Sequence, residues 1–388
     1  MDWQRNVSCK PYVRTSLAND GAIGAMTVAA RVLILRALPY GADSRAVRWG
    51  QIYSAFPVSW GCWGSKDSVH QVDNILKHRP SAGYWGFVFG YCKFMWAAFF
   101  FAHRRLTAGS TVVCVDLETA IPGMFAARLR GARVHFDVAD PFDLAKPVPF
   151  KRVFRWLEWW VAKHADVVTV PHASRLDLYG KPLPAAQVVE NVPLLPFTQQ
   201  SRTFLNDANG LTIMTFGYFG TLETHRGLED IVKLAMENEA VRFKVGGRGV
   251  LEPFIRTARA SCPRIEFVGE YLPADLPGLT RSVDVYCSLY YSSKKLHCYA
   301  APNKFFEHLA LGLPVLMSAN TPYAKDVVEG ETGWVIEDGY EALQAWFADT
   351  HLYKTAFESA GENAQKKWQS SYQNWLTQQK EKLFAFNT

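Results

Sequence analysis

The sequence has no paired-cysteine pattern: its seven cysteines (9, 62, 92, 114, 262, 287 and 298) are odd in number and include no C-x-x-C. This excludes a disulfide framework and a cysteine zinc site. Cys114 in TVVCVD and Cys287 in VDVYCSLY lie in apolar runs and read as buried, reduced thiols of a cytosolic protein. The first twenty residues hold no compact apolar stretch, so no secretory signal is expected. Internal repeats and low-complexity tracts are also absent. Charged residues are 20% and hydrophobic residues 49% of the chain, which excludes disorder. Long apolar runs are scarce. The one long enough to span a bilayer is Tyr84 to Ala102, with Lys93 its only charge. A span would place RVLILR and STVVCVD, two strands of one apparent sheet, on opposite sides of a membrane. The run is therefore read as a helix that is buried or lies in the interface.

What is present points to a large enzyme-like chain. At 388 residues it exceeds a single comfortable core, so two domains are expected. Positions 1–198 carry 23 Lys+Arg against 14 Asp+Glu, or +9, and the remainder 19 against 22, or −3. A basic first half calls for an anionic partner, nucleic acid or a lipid surface, or else serves solubility. Aromatics reach 14%, with thirteen Trp.

The first half alternates apolar strands with helices. RVLILR, TVVCVD, RVHFD and DVVTV are strand candidates, and ETAIPGMFAARLRG is a helix ending at Gly131. LPFTQQSRTFLNDANG, from Leu195 to Gly210, reads as a linker. The same grammar restarts with LTIMTFG, VRFKVGG, RIEFVG, DVYCSLY and LPVLMS, separated by helices. This predicts an α/β protein of two Rossmann-like, doubly wound domains facing across a cleft. The expected domains are 1–198, 199–366, and a C-terminal helical segment 367–388 that packs back on the first.

Three motifs carry chemistry. Gly217-Tyr-Phe-Gly220-Thr221 follows a strand and leads to Arg226-Gly227 at a helix start. Glycines there let backbone N–H groups approach a ligand, and Arg226 offers a fork suited to phosphate. An ordinary tight turn would read the same way. Gly246-Gly247-Arg248-Gly249 is a second glycine turn, at the next strand end. The most informative run is HCYAAPNKFFEHLALGLPVL. Pro302 suits a helix first turn, and Asn303 and Glu307 share one face. That face can offer backbone donors and Lys304 to a diphosphate, and a carboxylate to a ribose diol. An amphipathic helix with a solvated Lys and Glu is the other reading.

The second half resembles the C-terminal domain of the group 1 (family 4) glycosyltransferases of GT-B fold. Arg226-Gly227 matches the family's basic residue and glycine, and Pro302 to Val315 matches its PNKxxEyxAxGxPV motif. ADSRAVRWGQ, VDLETAIPGMFAARLRGA, LEWWVAKHADVVTV and VVENVP are similar to its N-terminal landmarks. The resemblance implies a bacterial polysaccharide-type transferase that moves a hexose with retention from a nucleoside-diphosphate sugar, UDP-linked, without a metal or other cofactor. It assigns Arg226, Lys304, Glu307 and Asp116 to catalysis. Donor binding falls to Gly217, Gly220, Thr221, Gly247, Arg248, Tyr299, Ala301, Pro302, Asn303 and Glu307. The sequence departs from the pattern at Tyr299, where a first glutamate often precedes Glu307 by eight positions. Val113 and Val115 stand where histidines are often found. An epimerase of the same fold and a non-catalytic sugar-binding relative remain alternatives.

On a helical wheel of about 100° per residue, Phe150 to His164 separates two faces. Phe150, Val153, Phe154, Leu157, Trp160 and Val161 fall on one side. Lys151, Arg152, Arg155 and Lys163 fall on the other, with Trp159 among them. A Trp in a basic face reads as a membrane-interface signature, or as a solvated helix face with one stray Trp. The acceptor and membrane side is assigned to Arg45, Asp140, Arg152, Arg155, Trp159 and Lys163. The expected partners are a nucleotide sugar, a polyprenyl-diphosphate-linked saccharide acceptor and an anionic membrane surface, with no nucleic acid. The expected location is cytoplasmic, held peripherally at the inner face of the cell membrane.

Overall fold

A computed structural model describes residues 31–40, 44–64, 72–76, 84–146, 148–179, 186–194, 205–206, 212–350 and 354–385. Cys9 and the linker expected at 195–210 lie outside the described residues, apart from Leu205–Asn206. The first domain holds a seven-stranded sheet built from β1 (Val32–Arg36), β2 (Val58–Trp63), β3 (Val72–Leu76), β4 (Thr111–Val115), β5 (Arg133–Asp137), β6 (Val167–Val170) and β7 (Ala186–Val188). Its order is β3-β2-β1-β4-β5-β6-β7, with every pairing parallel. The second domain begins with a short β8 (Leu205–Asn206), antiparallel to β9 (Thr212–Phe219). It continues with β10 (Val241–Gly246), β11 (Ile265–Gly269), β12 (Val285–Ser288), β13 (Val315–Ser318) and β14 (Gly333–Ile336) in the order β11-β10-β9-β12-β13-β14.

Strand order reverses between β1 and β4, and again between β9 and β12. Each reversal opens a crevice beyond the carboxyl ends of the strands, where doubly wound folds bind ligands. β2, β3, β7, β8 and β14 were not predicted, β8 falling in the stretch read as a linker. VSWGCW and GWVI mix glycine and tryptophan with few β-branched residues, and AQV is only three residues long. β9 also runs two residues past Gly217.

The long apolar run forms the helix Tyr84–Arg105, and no described helix is long and apolar enough to cross a membrane. Cys62, Cys114, Cys262 and Cys287 are buried as expected, whereas Cys92 is exposed and Cys298 half-buried. The helix Lys354–Ser371 runs across the boundary expected at 366–367. The return to the first domain is made by the next helix, Trp375–Ala385, whose Lys380 donates to Ser54 Oγ at 2.9 Å. One apolar cluster joins the two halves, bringing Trp49, Ile52 and Val115 together with Phe305, Phe306, Met317 and Trp375.

Under this cluster lies a buried polar network in the first domain. Arg45, on the helix Ser44–Ile52, grips Asp137 at the end of β5 with Nε–Oδ2 at 3.0 Å and Nη2–Oδ1 at 2.7 Å. Trp49 Nε1 donates to Asp137 Oδ2 at 2.8 Å, and Thr169 Oγ1 donates to Oδ1 at 2.7 Å. Because the Thr169 hydroxyl spends its proton on Asp137, it accepts from His135 Nε2 at 2.9 Å. His135 Nδ1 then accepts from Tyr53 OH at 3.0 Å. Burial pushes the His135 imidazole down to about 4, so it stays neutral within this chain.

Arg45 was expected on the acceptor side. It is instead 4% exposed, and it also donates to the Val189 carbonyl and to Asn191 Oδ1. Removing one partner of a buried ion pair leaves the other charge uncompensated. Arg45→Ala is expected to destabilise the protein by about 3–5 kcal/mol, as far as a buried pair generally costs to break. Urea unfolding followed by tryptophan fluorescence measures this, and an unchanged midpoint would show the network to be dispensable.

Candidate functional site

The second-domain site is built around β9 and β12. β9 ends at Phe219, and Gly220 follows with φ 150°, a conformation that glycine adopts readily. A Cβ there would lie 2.6 Å from Lys304 Nζ, so the missing side chain makes room for the ammonium. Lys304 starts the helix Asn303–Leu311, is 5% exposed, and sits 4.3 Å above the Tyr218 ring. It makes no hydrogen bond or ion pair with any described residue. Burial disfavours the charge on Lys304, but Tyr218, Tyr290 and Glu307 outweigh it and raise the ammonium above its ordinary value, with Arg226 opposing them.

Arg226 lies beside it, its guanidinium 4.4 Å from the centre of the Tyr290 ring. Glu223 accepts from Arg226 at 3.4 Å and from Lys294 at 3.3 Å. Arg226 and Lys294 thus share one carboxylate. Glu307 is half-buried one turn into the Asn303–Leu311 helix, and Tyr286 OH donates to its Oε2 at 2.8 Å. Burial raises its carboxyl above the ordinary value, against the lowering influence of Lys304, Tyr286 and Arg48.

The remaining predicted donor residues divide by position. Gly217 lies inside β9, where a Cβ would meet Val283 at 2.6 Å; its smallness serves sheet packing. Gly247 supports the Gly220 turn from below, since a Cβ would fall 1.8 Å from the Gly220 carbonyl oxygen. Thr221 is exposed, and Arg248 is exposed with Glu270 at 3.8 Å. Tyr299 ends the 3-10 turn Lys295–Tyr299 and is half-buried. Ala301 and Pro302 are buried, and the Ala301 carbonyl accepts from Asn191 Nδ2 of the first domain at 2.7 Å. Asn303 is half-buried, and its Nδ2 donates to Ser44 Oγ of the first domain at 2.9 Å.

The facing half-site stands at the first switch point. Arg36, ending β1, ion-pairs with Asp116, which follows β4. Asp116 has φ 66° and ψ 166°, a region nearly restricted to glycine that costs a side-chain-bearing residue about 1–3 kcal/mol. Its Oδ1 accepts from the Asp140 backbone N–H at 3.0 Å, and Asp140 takes Arg175 Nη2 at 3.0 Å. Burial pushes the Asp116 carboxyl up to about 7; Arg36 opposes this and Glu118 and Asp140 reinforce it. Sequence reasoning missed Arg36, Arg48, Asn191, Tyr218, Tyr286 and Tyr290. Asn191 lay inside VVENVP, Arg48 inside ADSRAVRWGQ and Tyr218 inside the Gly217–Thr221 turn, so three of the six stood within motifs the sequence had marked.

The basic helix differs from the wheel at several positions. In Lys151–His164, Arg152 and Lys163 are exposed, but Arg155 pairs with buried Asp143. Trp159 is half-buried under the Lys163 ammonium at 5.4 Å, whereas Trp156 is 55% exposed. Phe150 and Val153, expected on the packed face, are 79% and 52% exposed, while Glu158 is buried with Val161 and Ala162. Glu158 accepts the Phe142 backbone N–H at 2.9 Å. Among the described residues, no group of three His, Cys, Asp or Glu is placed to hold a metal ion.

Residues 213–348 match the family model for glycosyl transferases group 1, so the second domain is a domain of that kind. The whole chain has the GT-B architecture of two Rossmann-like domains. It is similar in fold to Anabaena HepE solved with UDP-glucose, with a TM-score of 0.67 and 15% identity over 92% of this chain and 99% of that one. It is likewise similar to the lipopolysaccharide outer core galactosyltransferase WaaB, with a TM-score of 0.58 and 12% identity over 92% and 100% of the two chains. A third neighbour is S. aureus TarM, solved as a mutant with Fondaparinux, alpha-GlcNAc-glycerol and UDP, at a TM-score of 0.57 and 12% identity. That match covers 76% of this chain and 59% of TarM, so the chain spans well under two thirds of TarM's length. No curated protein matches the chain in sequence.

Asp116 makes stability depend on pH in a definite direction. The unfolded carboxyl loses its proton near its ordinary value of 3.8, while the folded one holds it to about 7. Between these values the folded state binds more protons, so stability falls as pH rises. Melting temperatures measured from pH 4 to 7.5 should decline less steeply in Asp116→Asn than in the native protein. Parallel curves would show that Asp116 is already ionised in the fold.

Proposed function

We propose that this protein transfers a hexose, with retention of configuration, from a UDP-linked sugar to a polyprenyl-diphosphate-linked saccharide in bacterial surface polysaccharide synthesis. The observation that carries the reading is Lys304, 5% exposed and in no ion pair with a described residue, close to Arg226 and Glu307 at the second switch point. A diphosphate supplies the missing negative charge. When the sugar–phosphate bond breaks, Lys304, Arg226 and the Gly220 turn would stabilise the departing diphosphate as preorganised charges and dipoles. Solved neighbours carry UDP or UDP-glucose, which supports a uridine donor. Asp116, across the cleft, would meet the acceptor side with Asp140, and no metal or other cofactor is invoked. The working division is a first domain to residue 198 for acceptor and membrane, and a second from 199 for the donor.

Glu307 is assigned to the ribose diol. Tyr286 occupies Oε2, leaving Oε1 without a partner among the described residues. Glu307→Gln is expected to weaken UDP binding by roughly 1.5–3 kcal/mol, the scale of a hydrogen bond to a charged group. A calorimetric cycle of this variant against 2′,3′-dideoxy-UDP checks it. Losses that simply add would place the ribose away from Glu307. Release of UDP only when acceptor is supplied separates a transferase from an epimerase.

The membrane-facing surface is assigned to three adjacent helices, with Leu117–Arg130 packed between Tyr84–Arg105 and Lys151–His164. They expose Phe89, Trp96 and Phe100, then Phe125 and Leu129, then Phe150, Val153 and Trp156. Arg104, Arg105, Arg128, Arg130, Arg152 and Lys163 are exposed on the same three helices. Exposed aromatics among cations suit an anionic bilayer surface. Sedimentation with phosphatidylglycerol vesicles should weaken with salt, and weaken further in a Trp96→Ser, Trp156→Ser double variant. Binding that ignores both changes would remove the membrane assignment.

A further inference from the structure

Five buried polar atoms along the carboxyl edge of the second sheet form no hydrogen bond with any described residue. They are Arg226 Nε beyond β9, Ser288 Oγ ending β12, His297 Nε2 in the turn Lys295–Tyr299, and Asn320 Oδ1 and Tyr323 OH beyond β13. Partnerless buried atoms also occur elsewhere in the molecule, but these five gather beyond the carboxyl ends of the strands, where a doubly wound sheet receives its ligand.

Their chemistry identifies that partner. His297 is 2% exposed, and its Nδ1 lies 3.0 Å from the Tyr291 carbonyl. A carbonyl only accepts, so Nδ1 carries the proton and Nε2 presents a lone pair. Asn320 directs its Nδ2 at Cys298 Sγ, 3.8 Å away, which leaves Oδ1 as the orphan acceptor. Arg226 Nε can only donate, while the Ser288 and Tyr323 hydroxyls do both. A phosphate, having only acceptors, would face lone pairs at His297 and Asn320. Sugar hydroxyls both donate and accept, and fit the mixed set.

We propose that His297 Nε2 and Asn320 Oδ1 accept hydrogen bonds from hydroxyl groups of the sugar being transferred, beside the diphosphate held by Arg226 and Lys304. This rests on the donor-site reading above. The edge of the His297 ring packs against Tyr290 at 5.2 Å, the same tyrosine that Arg226 covers, which joins the two groups in one site. Burial, then Arg226, and further Lys294 hold the imidazole down to about 4 against the Tyr291 carbonyl and Glu223, so the lone pair is present at neutral pH.

Calorimetry with UDP and with UDP-glucose, UDP-galactose and UDP-N-acetylglucosamine tests the assignment in the native protein, His297→Phe, His297→Gln and Asn320→Leu. UDP should bind all four proteins within about twofold. The UDP-sugar that the native protein binds best should lose about tenfold in affinity in His297→Phe and Asn320→Leu, the scale of one hydrogen bond. His297→Gln, whose amide oxygen accepts, should recover part of that loss. Unchanged UDP-sugar affinity in both His297→Phe and Asn320→Leu would overturn the proposal, as would equal losses for UDP and UDP-sugar. A native protein that binds no UDP would overturn the donor-site reading itself, and this assignment with it.

Discussion

Asn191 is the point on which the two halves of the molecule depend. Its Oδ1 accepts from Arg45 at 3.0 Å and from Arg48 at 3.2 Å, and its Nδ2 donates to the Ala301 carbonyl at 2.7 Å. One amide therefore ties the buried cations of the first domain to the loop that opens the Asn303–Leu311 helix. An amide can do this because it donates and accepts from fixed positions a few ångströms apart. A carboxylate could not donate to Ala301, and an aliphatic side chain would leave two guanidinium groups short of a partner. The Asn303–Ser44 bond and the shared apolar cluster reinforce the same junction.

That junction fixes the geometry of the proposed donor site. The helix carrying Lys304 and Glu307 begins two residues after Ala301, so its position relative to β9 and to the first domain is set together. Arg48 lies close enough to influence the Glu307 carboxyl, although the two belong to different domains. The glycines of the second sheet act in the same way. Gly247 supports Gly220 backbone to backbone, and Gly220 leaves the space that the Lys304 ammonium occupies. A methyl group at either would push on the site without touching a ligand.

The two faces of the cleft differ in electrostatic design. The second-domain side gathers Arg226 and Lys294 on Glu223, with Arg226 against the Tyr290 ring and Lys304 over the Tyr218 ring. The first-domain side buries Asp116, Glu118, Asp143 and Glu158 with Arg36, Arg175 and a half-buried Lys146 among them. A cation-rich side suits a diphosphate. A carboxylate-rich side suits hydroxyl groups, which can donate to it.

The sequence by itself determined the fold class, the run of strands with strong β-branched character, and the motif residues Arg226, Lys304 and Glu307. These are legible because apolar periodicity and a glycine, proline or cation at a fixed offset are local properties of the chain. It could not determine which polar residues were already engaged. Arg45, Arg155 and Asn303 looked available, yet each is spent on a partner: Arg45 on Asp137 and Asn191, Arg155 on Asp143, and Asn303 on Ser44. Only the tertiary structure places Asp137 opposite Arg45 or Asn191 opposite Ala301, because those partners lie 92 and 110 positions apart. It alone decided that Trp156 rather than Trp159 faces solvent while Glu158 is buried. It alone left His297 Nε2 without a partner, because whether a polar atom is satisfied depends on everything the fold brings within reach of it.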